Sequence, residues 1–373
     1  MSRKEAVMTI VTFVLILFGI SILYFILPLS NYSEWERRYL SDKPEVSLDG
    51  LKDGTLADET ETYLADHFPL RDGFVSVYSF YETVTGRKEI GGAYLGKDRF
   101  LITKLTDDEI SEKDKKASVN ALSGFGTFLS EQGIAYRVMI IPSSGLSLSD
   151  KLPAGAPYYD QDAYLDTFAE KLGDAFVDTR AVLKDESDYY RTDHHWTTSG
   201  AYKAYVLFMQ SLDKTPLPKD SFRCDTVSER FLGTLYAKAK PVFYKADTVT
   251  AMYLPDVDVH VTADGKELPG LFEESRRNST YDAYSYFLGG NYAELKITGA
   301  GPEDRKLLVI KDSYANCFLP FLVSEYGEIA VLDLRYFNGA VREYVTKNEI
   351  DEVLVLYGTD GFARERSIRK LER

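Results

Sequence analysis

Lys306-Leu307-Leu308-Val309-Ile310-Lys311-Asp312-Ser313-Tyr314 is the stretch that decides how this chain folds. Four consecutive large apolar residues between lysines read as a strand, Lys306 to Lys311, buried on both faces, and such a strand needs helices above and below it. The chain beyond Tyr314 repeats the theme: a helix is expected over 315–325, a strand over 329–334, a helix over 340–347 and a strand over 352–357. Helices of this length between apolar strands imply right-handed parallel crossovers. The fold class is therefore α/β, a parallel sheet flanked by helices.

Working outward, Ile134 to Ile141 is a second apolar, β-rich run, stopped by Pro142. A polar lead at 106–118 feeds a helix ending near Gly133, ahead of it. After it come a helix over 163–172, a short strand over 175–177 and a helix over 201–212, for which a hydroxyl within Thr197-Thr198-Ser199 can serve as the cap. Between 231 and 297 the texture changes to short alternations broken by Pro255-Asp256, Asp264-Gly265 and Gly289-Gly290-Asn291, which reads as a β-rich insertion. Its tyrosines, Tyr281, Tyr284, Tyr286 and Tyr292, suit a carbohydrate-stacking surface, although packing and cross-strand pairing explain such a cluster more often. Further upstream, a helix is expected from Leu51 to Phe68, ended by Pro69, then another over 73–84. Two short strands around a turn are expected within 93–102.

From Ala6 to Leu29 the chain carries no charge. That is long enough to cross a hydrocarbon core, which takes about 20 residues. It is too long for the apolar part of a cleaved signal peptide, and no small-x-small site comes after it. We therefore expect residues 1–30 to be a single-pass membrane anchor, 31–50 a linker and 51–373 one α/β domain, with the bulk of the chain outside the cell. Arg37, Arg38 and Lys43 flank the far end and blunt the positive-inside signal. The net charge of -14 argues against a nucleic-acid partner. Two cysteines, Cys224 and Cys317, make no disulfide scaffold and read as a pair or as two separate thiols.

Chemistry concentrates at Arg191-Thr192-Asp193-His194-His195-Trp196, which holds two of the four histidines and one of the two tryptophans. A carboxylate two residues before an imidazole can hold one ring nitrogen and leave the other as a base. Ser313, where a buried strand ends, is the nucleophile such a base would serve, with its own N–H and those of the next turn aimed at an oxyanion. The bland alternative is that Asp312 or Ser313 merely caps a helix. The Asp66-His67 pair reads as structural. A metal is not expected, because adjacent residues of an extended segment point to opposite faces, so His194 and His195 would not share an ion. No cofactor is expected either.

Asp193-His194-His195-Trp196 resembles the signature of the bacterial DHHW protein family. With the distant Asp312-Ser313 it also resembles the SGNH-hydrolase-like alginate O-acetyltransferase proteins, in which the Asp-His element precedes the serine in a circularly permuted order. The likeness extends over about residues 60 to 360, through Asp66-His67-Phe68-Pro69-Leu70-Arg71 and Gly96-Lys97-Asp98. It implies Ser313 as nucleophile, His195 as base with His194 as its rival, and Asp193 as the orienting carboxylate. Tyr357-Gly358-Thr359-Asp360 resembles the Gly-x-Asn block of the oxyanion hole. Asp360 in its charged form cannot donate there, so the Gly358 N–H and Arg335 become the substitutes, with Tyr314, Tyr357, Trp196 and His194 as further oxyanion or substrate contacts. Lys311 stands where the hydrolase pattern has Gly. The implied activity is an extracytoplasmic O-acetyltransferase that passes acetyl groups through an acetyl-serine to a cell-surface polysaccharide, fed by a membrane-bound O-acyltransferase. An acetyl esterase with the same triad and a non-catalytic glycan-binding protein are the alternatives.

Overall fold

The computed structural model describes residues 2–33 and 38–373. Arg37, one of the cations beyond the apolar run, lies outside them. The chain forms two compact units, residues 1–87 with Lys240–Val242, and Lys88–Ala239 with Phe243–Arg373.

The first unit holds helix α1 (Arg3–Ile26), the strand pair β1 (Tyr32–Ser33) and β2 (Arg38–Tyr39), and helices α2 (Leu48–Asp53), α3 (Thr55–Asp66) and α4 (Arg71–Val84). Residues 51–87 thus belong with the N-terminal helix. The single helix expected from Leu51 to Phe68 is two, because Gly54 adopts a left-handed φ of 88° that interrupts the helical path. Asp66 and His67 serve this unit's packing: Asp66 takes a two-pronged contact from Arg38, and His67 Nε2 meets the Ser41 carbonyl at 2.9 Å.

The second unit begins with the meander β3 (Glu89–Ile90), β4 (Ala93–Leu95) and β5 (Leu101–Thr103), then α5 (Glu112–Glu131), β6 (Ala135–Ile141), the turn α6 (Ser144–Ser147), α7 (Gln161–Leu172) and α8 (Thr198–Ser211). Next come β7 (Arg223–Phe231), α9 (Thr234–Ala239), β8 (Asp247–Tyr253), β9 (His260–Ala263), β10 (Lys266–Leu268) and β11 (Glu294–Thr298). The chain closes with β12 (Lys306–Lys311), β13 (Glu328–Leu332), α10 (Val341–Lys347), β14 (Glu352–Gly358) and α11 (Thr359–Phe362). Seven strands make one mixed sheet in the order β10-β9-β11-β13-β12-β14-β6. The four from β13 to β6 run parallel, as their apolar composition requires, while β11, β9 and β10 add on antiparallel. Segment 231–297 therefore supplies three strands of the main sheet besides its ribbon strand β8, which pairs with β7.

Period-two alternation puts Leu307 and Val309 of β12 in one core and Leu308 and Ile310 in the other, all four fully buried. Helix α8 covers the first face through Ala204, Tyr205 and Phe208. The second is covered by α5, α7 and α10 through Phe125, Phe168 and Val345.

Two expected elements are absent. Residues 315–325 form 3₁₀ turns, Ser313–Cys317 and Leu319–Phe321, in place of an α-helix. Pro320 has no N–H for a helical ladder and restricts the residue before it. Residues 175–177 make a single bridge, Phe176 to Val138, in place of a strand. Both cysteines are free thiols, Cys317 buried and Cys224 exposed.

Candidate functional site

Ser313 stands just past the carboxyl end of β12, between β13 and β14, where the crevice of an open α/β sheet lies. The Asp312 side chain caps its turn, accepting from the Tyr314 N–H at 2.9 Å and, across the sheet, from the Gly358 N–H at 3.0 Å. One carboxylate thus ties the turn that carries Ser313 to the end of β14. Burial pushes the Asp312 carboxyl up to about 6 against these two donors.

The loop carrying the histidines is bent. The Tyr190 N–H bonds back to the His195 carbonyl at 3.3 Å, Tyr189 bridges to Trp196, and Asp247 accepts from the Arg191 and Thr192 N–H groups at 3.0 and 2.8 Å. Helix α8 starts just beyond, with Thr197 as its cap. The bend brings the two imidazoles side by side, centroids 3.9 Å apart, so the expectation that they point to opposite faces is corrected. Ligand-type atoms of Asp193, His194 and His195 lie within 4.8 Å of one another. Those atoms already serve one another and the chain: His195 Nδ1 is on Asp193, and His194 Nδ1 meets Thr234 Oγ1 at 2.6 Å.

Residues 118 apart in sequence meet here: His195 Nε2 lies 2.7 Å from Ser313 Oγ, and His195 Nδ1 lies 2.5 Å from Asp193 Oδ1. Asp193 also accepts from the His195 N–H at 3.0 Å, the Thr234 N–H at 2.7 Å and the Thr234 hydroxyl at 2.9 Å. Burial alone would raise its pKa, but the two imidazoles and these donors outweigh that and hold it well below the usual carboxylate range. Asp193 is therefore a fixed negative charge behind one imidazole nitrogen. Tyr284 stacks on the other side of His195, at 3.9 Å and 12°, while its hydroxyl donates to the Ser313 carbonyl at 2.9 Å. The sheet-edge turn and the loop are thus clamped by one ring.

Gly233 explains itself by what surrounds it, since a Cβ there would stand 2.4 Å from Asp193 Oδ2. Gly233→Ala is expected to displace that carboxylate, costing about 1–3 kcal/mol of stability through overpacking and, if His195 acts as a base, about 10²-fold in turnover through its misplacement. Thermal melts and turnover of an acetyl ester, read side by side, check it.

The other residues singled out from the sequence take different places. Trp196 is fully buried and donates from Nε1 to the Tyr314 carbonyl at 2.9 Å. Trp196→Phe should delete that bond, leaving the carbonyl only the weak Cys317 Sγ contact at 3.9 Å, and lower stability by about 1 kcal/mol, measured by denaturant unfolding. The Tyr314 hydroxyl donates to the His194 carbonyl, so it is a strut. Tyr357 points into the opposite core, on the side away from the histidines, and is no substrate contact. The Gly358 N–H is committed to Asp312, and Arg335 pairs two-pronged with Asp333 through Nε and Nη2. The Ser313 N–H has no acceptor among the described residues. Lys311 is buried, donates to Asn291 at 2.9 Å and Asn316 at 2.8 Å, and is pushed down to about 8 by that burial. Asp360 is pushed up to about 6, again by burial, with Tyr159 donating to it at 3.1 Å. A groove of about 610 Å³ opens beside His194, walled by Lys104, Lys238, Asp360 and Arg364.

Sequence reasoning missed Thr234, and it named Tyr284 only within a tyrosine cluster, not as the ring that stacks on His195. Neither sits in a motif, and only the fold brings them to the loop.

Residues 173–332 match the family model described as DHHW protein. A DHHW family protein from Eubacterium siraeum has a similar structure, 26% identical, with a TM-score of 0.64 over 76% of this chain and 96% of that one. PatB1 from Bacillus cereus, solved with a sulfonyl adduct, is 21% identical with a TM-score of 0.62, over 73% and 96%. The O-acetyltransferase domain of Pseudomonas putida AlgJ is 14% identical with a TM-score of 0.48, over 76% and 99%. No curated protein matches this chain.

Proposed function

Starting from a chain that carries the DHHW family match over residues 173–332, we propose a serine-dependent O-acetyltransferase on a permuted SGNH-hydrolase-like scaffold. One observation carries the reading: a single imidazole stands within hydrogen-bond reach of a buried carboxylate on one nitrogen and of the Ser313 hydroxyl on the other. That is the geometry a weak alcohol nucleophile needs.

In the proposed reaction His195 Nε2 takes the Ser313 proton as Oγ attacks the acetyl carbonyl of a donor ester. The Ser313 N–H faces the developing oxyanion, and the donor's alcohol leaves with the proton from His195. A sugar hydroxyl then enters, gives its proton to His195 and attacks the acetyl-serine, which releases the acetylated sugar and restores the Ser313 hydroxyl. Asp193 stays ionised throughout and steadies the imidazolium. The groove of about 610 Å³ beside His194, with Lys104, Lys238, Asp360 and Arg364 in its walls, supports a polyhydroxyl acceptor. The donor is a membrane-bound O-acyltransferase in this reading, and α1 anchors the chain in the cell membrane with its body extracytoplasmic. Helix α1 supports this by being apolar and uncovered, with mean hydropathy 2.7 over a membrane-length window.

The test is to incubate the protein with a chromogenic acetyl ester, with and without oligosaccharide. Acetylated sugar is the expected product. Ester hydrolysis that never yields acetylated sugar would reject the transferase in favour of an esterase, and no turnover at all would favour a binding protein.

A further inference from the structure

Helix α4 is inside out. It buries Ser79 and Glu82 and exposes Phe74, Val77, Tyr78, Phe80, Tyr81 and Val84, each 47–68% exposed. At about 100° per residue these six fall on one continuous arc, with the buried polar residues on the other side. The polar side is satisfied within its own unit, Glu82 by Arg87 at 2.5 Å and Asp72 by the buried Lys240 at 3.5 Å. The inversion is therefore built, not accidental. The apolar surface continues from Phe74 across Phe68, Leu64, Leu56 and Leu51 of the preceding segments, around a groove of about 870 Å³. A contiguous apolar face of this kind marks an interaction surface.

Its neighbour in the same unit indicates what covers it. The end of α1, at Leu23, Tyr24 and Leu27, lines one hollow together with His67, Leu70 and Gly73, so α4 begins beside the point where α1 ends. A 24-residue helix is about 36 Å long and its end emerges at the bilayer's interfacial zone. Aromatic rings with a polar tip, such as Tyr78 and Tyr81, favour that zone. Residues 48–88 hold eight acidic against four basic side chains, so attraction to anionic headgroups is not the driving force.

We propose that the apolar arc of α4, with the adjoining face of α2 and α3, lies in the interfacial zone of the bilayer that α1 spans. It holds the membrane-proximal unit flat on the membrane. The proposal rests on the anchoring role of α1, not on the acetyl chemistry.

The experiment uses the full chain, one copy per phosphatidylcholine nanodisc. An environment-sensitive fluorophore is placed at Val77→Cys in a Cys224→Ser background, and at Lys266→Cys as the exposed comparator. Co-elution with discs reads α1 insertion separately, and a chain that does not co-elute overturns the proposal. The label at 77 is expected to be shielded from aqueous iodide and to lose at least half its intensity to spin-labelled lipid, while the label at 266 does the reverse. Equal iodide quenching at both sites would overturn the proposal. So would shielding at 77 without lipid quenching, which would mean that protein covers the face.

Discussion

Ser313→Ala is expected to lower the proposed turnover of acetyl esters by a factor on the order of 10⁴ to 10⁶ and to leave the fold intact. The hydroxyl is partly exposed at the end of β12, and its Oγ bonds to His195. Removing it deletes the proposed nucleophile without opening a cavity in either core. The turn itself is held by other atoms, namely Asp312 on the Tyr314 and Gly358 N–H groups and Tyr284 on the Ser313 carbonyl. Loss of either the serine or the histidine of such a pair costs about as much as loss of both, so His195→Ala and the double variant should be as inactive as Ser313→Ala. Turnover of a chromogenic acetyl ester, with circular dichroism to show unchanged folding, checks all three. Additive losses would mean that the two residues do not act as a unit.

Asp193→Asn should lower turnover about 10⁴-fold, by holding the imidazole in the wrong tautomer. The amide also turns an NH₂ toward donors that expect an acceptor, because Asp193 takes hydrogen bonds from the Thr234 N–H and hydroxyl as well as from His195. Stability carries a second signature. The Asp193 pKa lies well below the ordinary carboxylate value of about 4, so the stability contributed by its ionised form is present above that value and is lost as the pH falls below it. The variant lacks this group, and the acid-side loss of stability should shrink in its denaturant unfolding between about pH 5 and 2. An unchanged acid limb would mean that Asp193 is not the charge behind His195.

The strand patterns from Lys306 onward are readable because β12, β13 and β14 are apolar on both faces, and continuous apolar runs with this spacing admit few other folds. The Asp193–His195 pair is readable because the spacing Asp-x-His lets the carboxylate hold one ring nitrogen, whereas the place of Ser313 beside it, 118 residues away, came from its strand-end position and the family resemblance. Three things are not. The turns at 313–321 look helical by composition, but Pro320 and the Asp312 cap favour 3₁₀ geometry. The bend that lays His194 beside His195 comes from Asp247, 52 residues beyond His195, clamping Thr192, which no local pattern encodes. The carboxylate partners of Gly358 and Arg335 were also hidden, because a strand-end N–H and a guanidinium look available in sequence, whereas Asp312 and Asp333 accept from them.

Mass spectrometry of the Ser313 peptide, taken from protein mixed briefly with an acetyl ester and quenched in acid, tests the proposed chemistry most directly. One acetyl group on Ser313, absent from His195→Ala, is the predicted result. Sustained ester turnover with no acetyl on that peptide, and the same rate in Ser313→Ala, would contradict it.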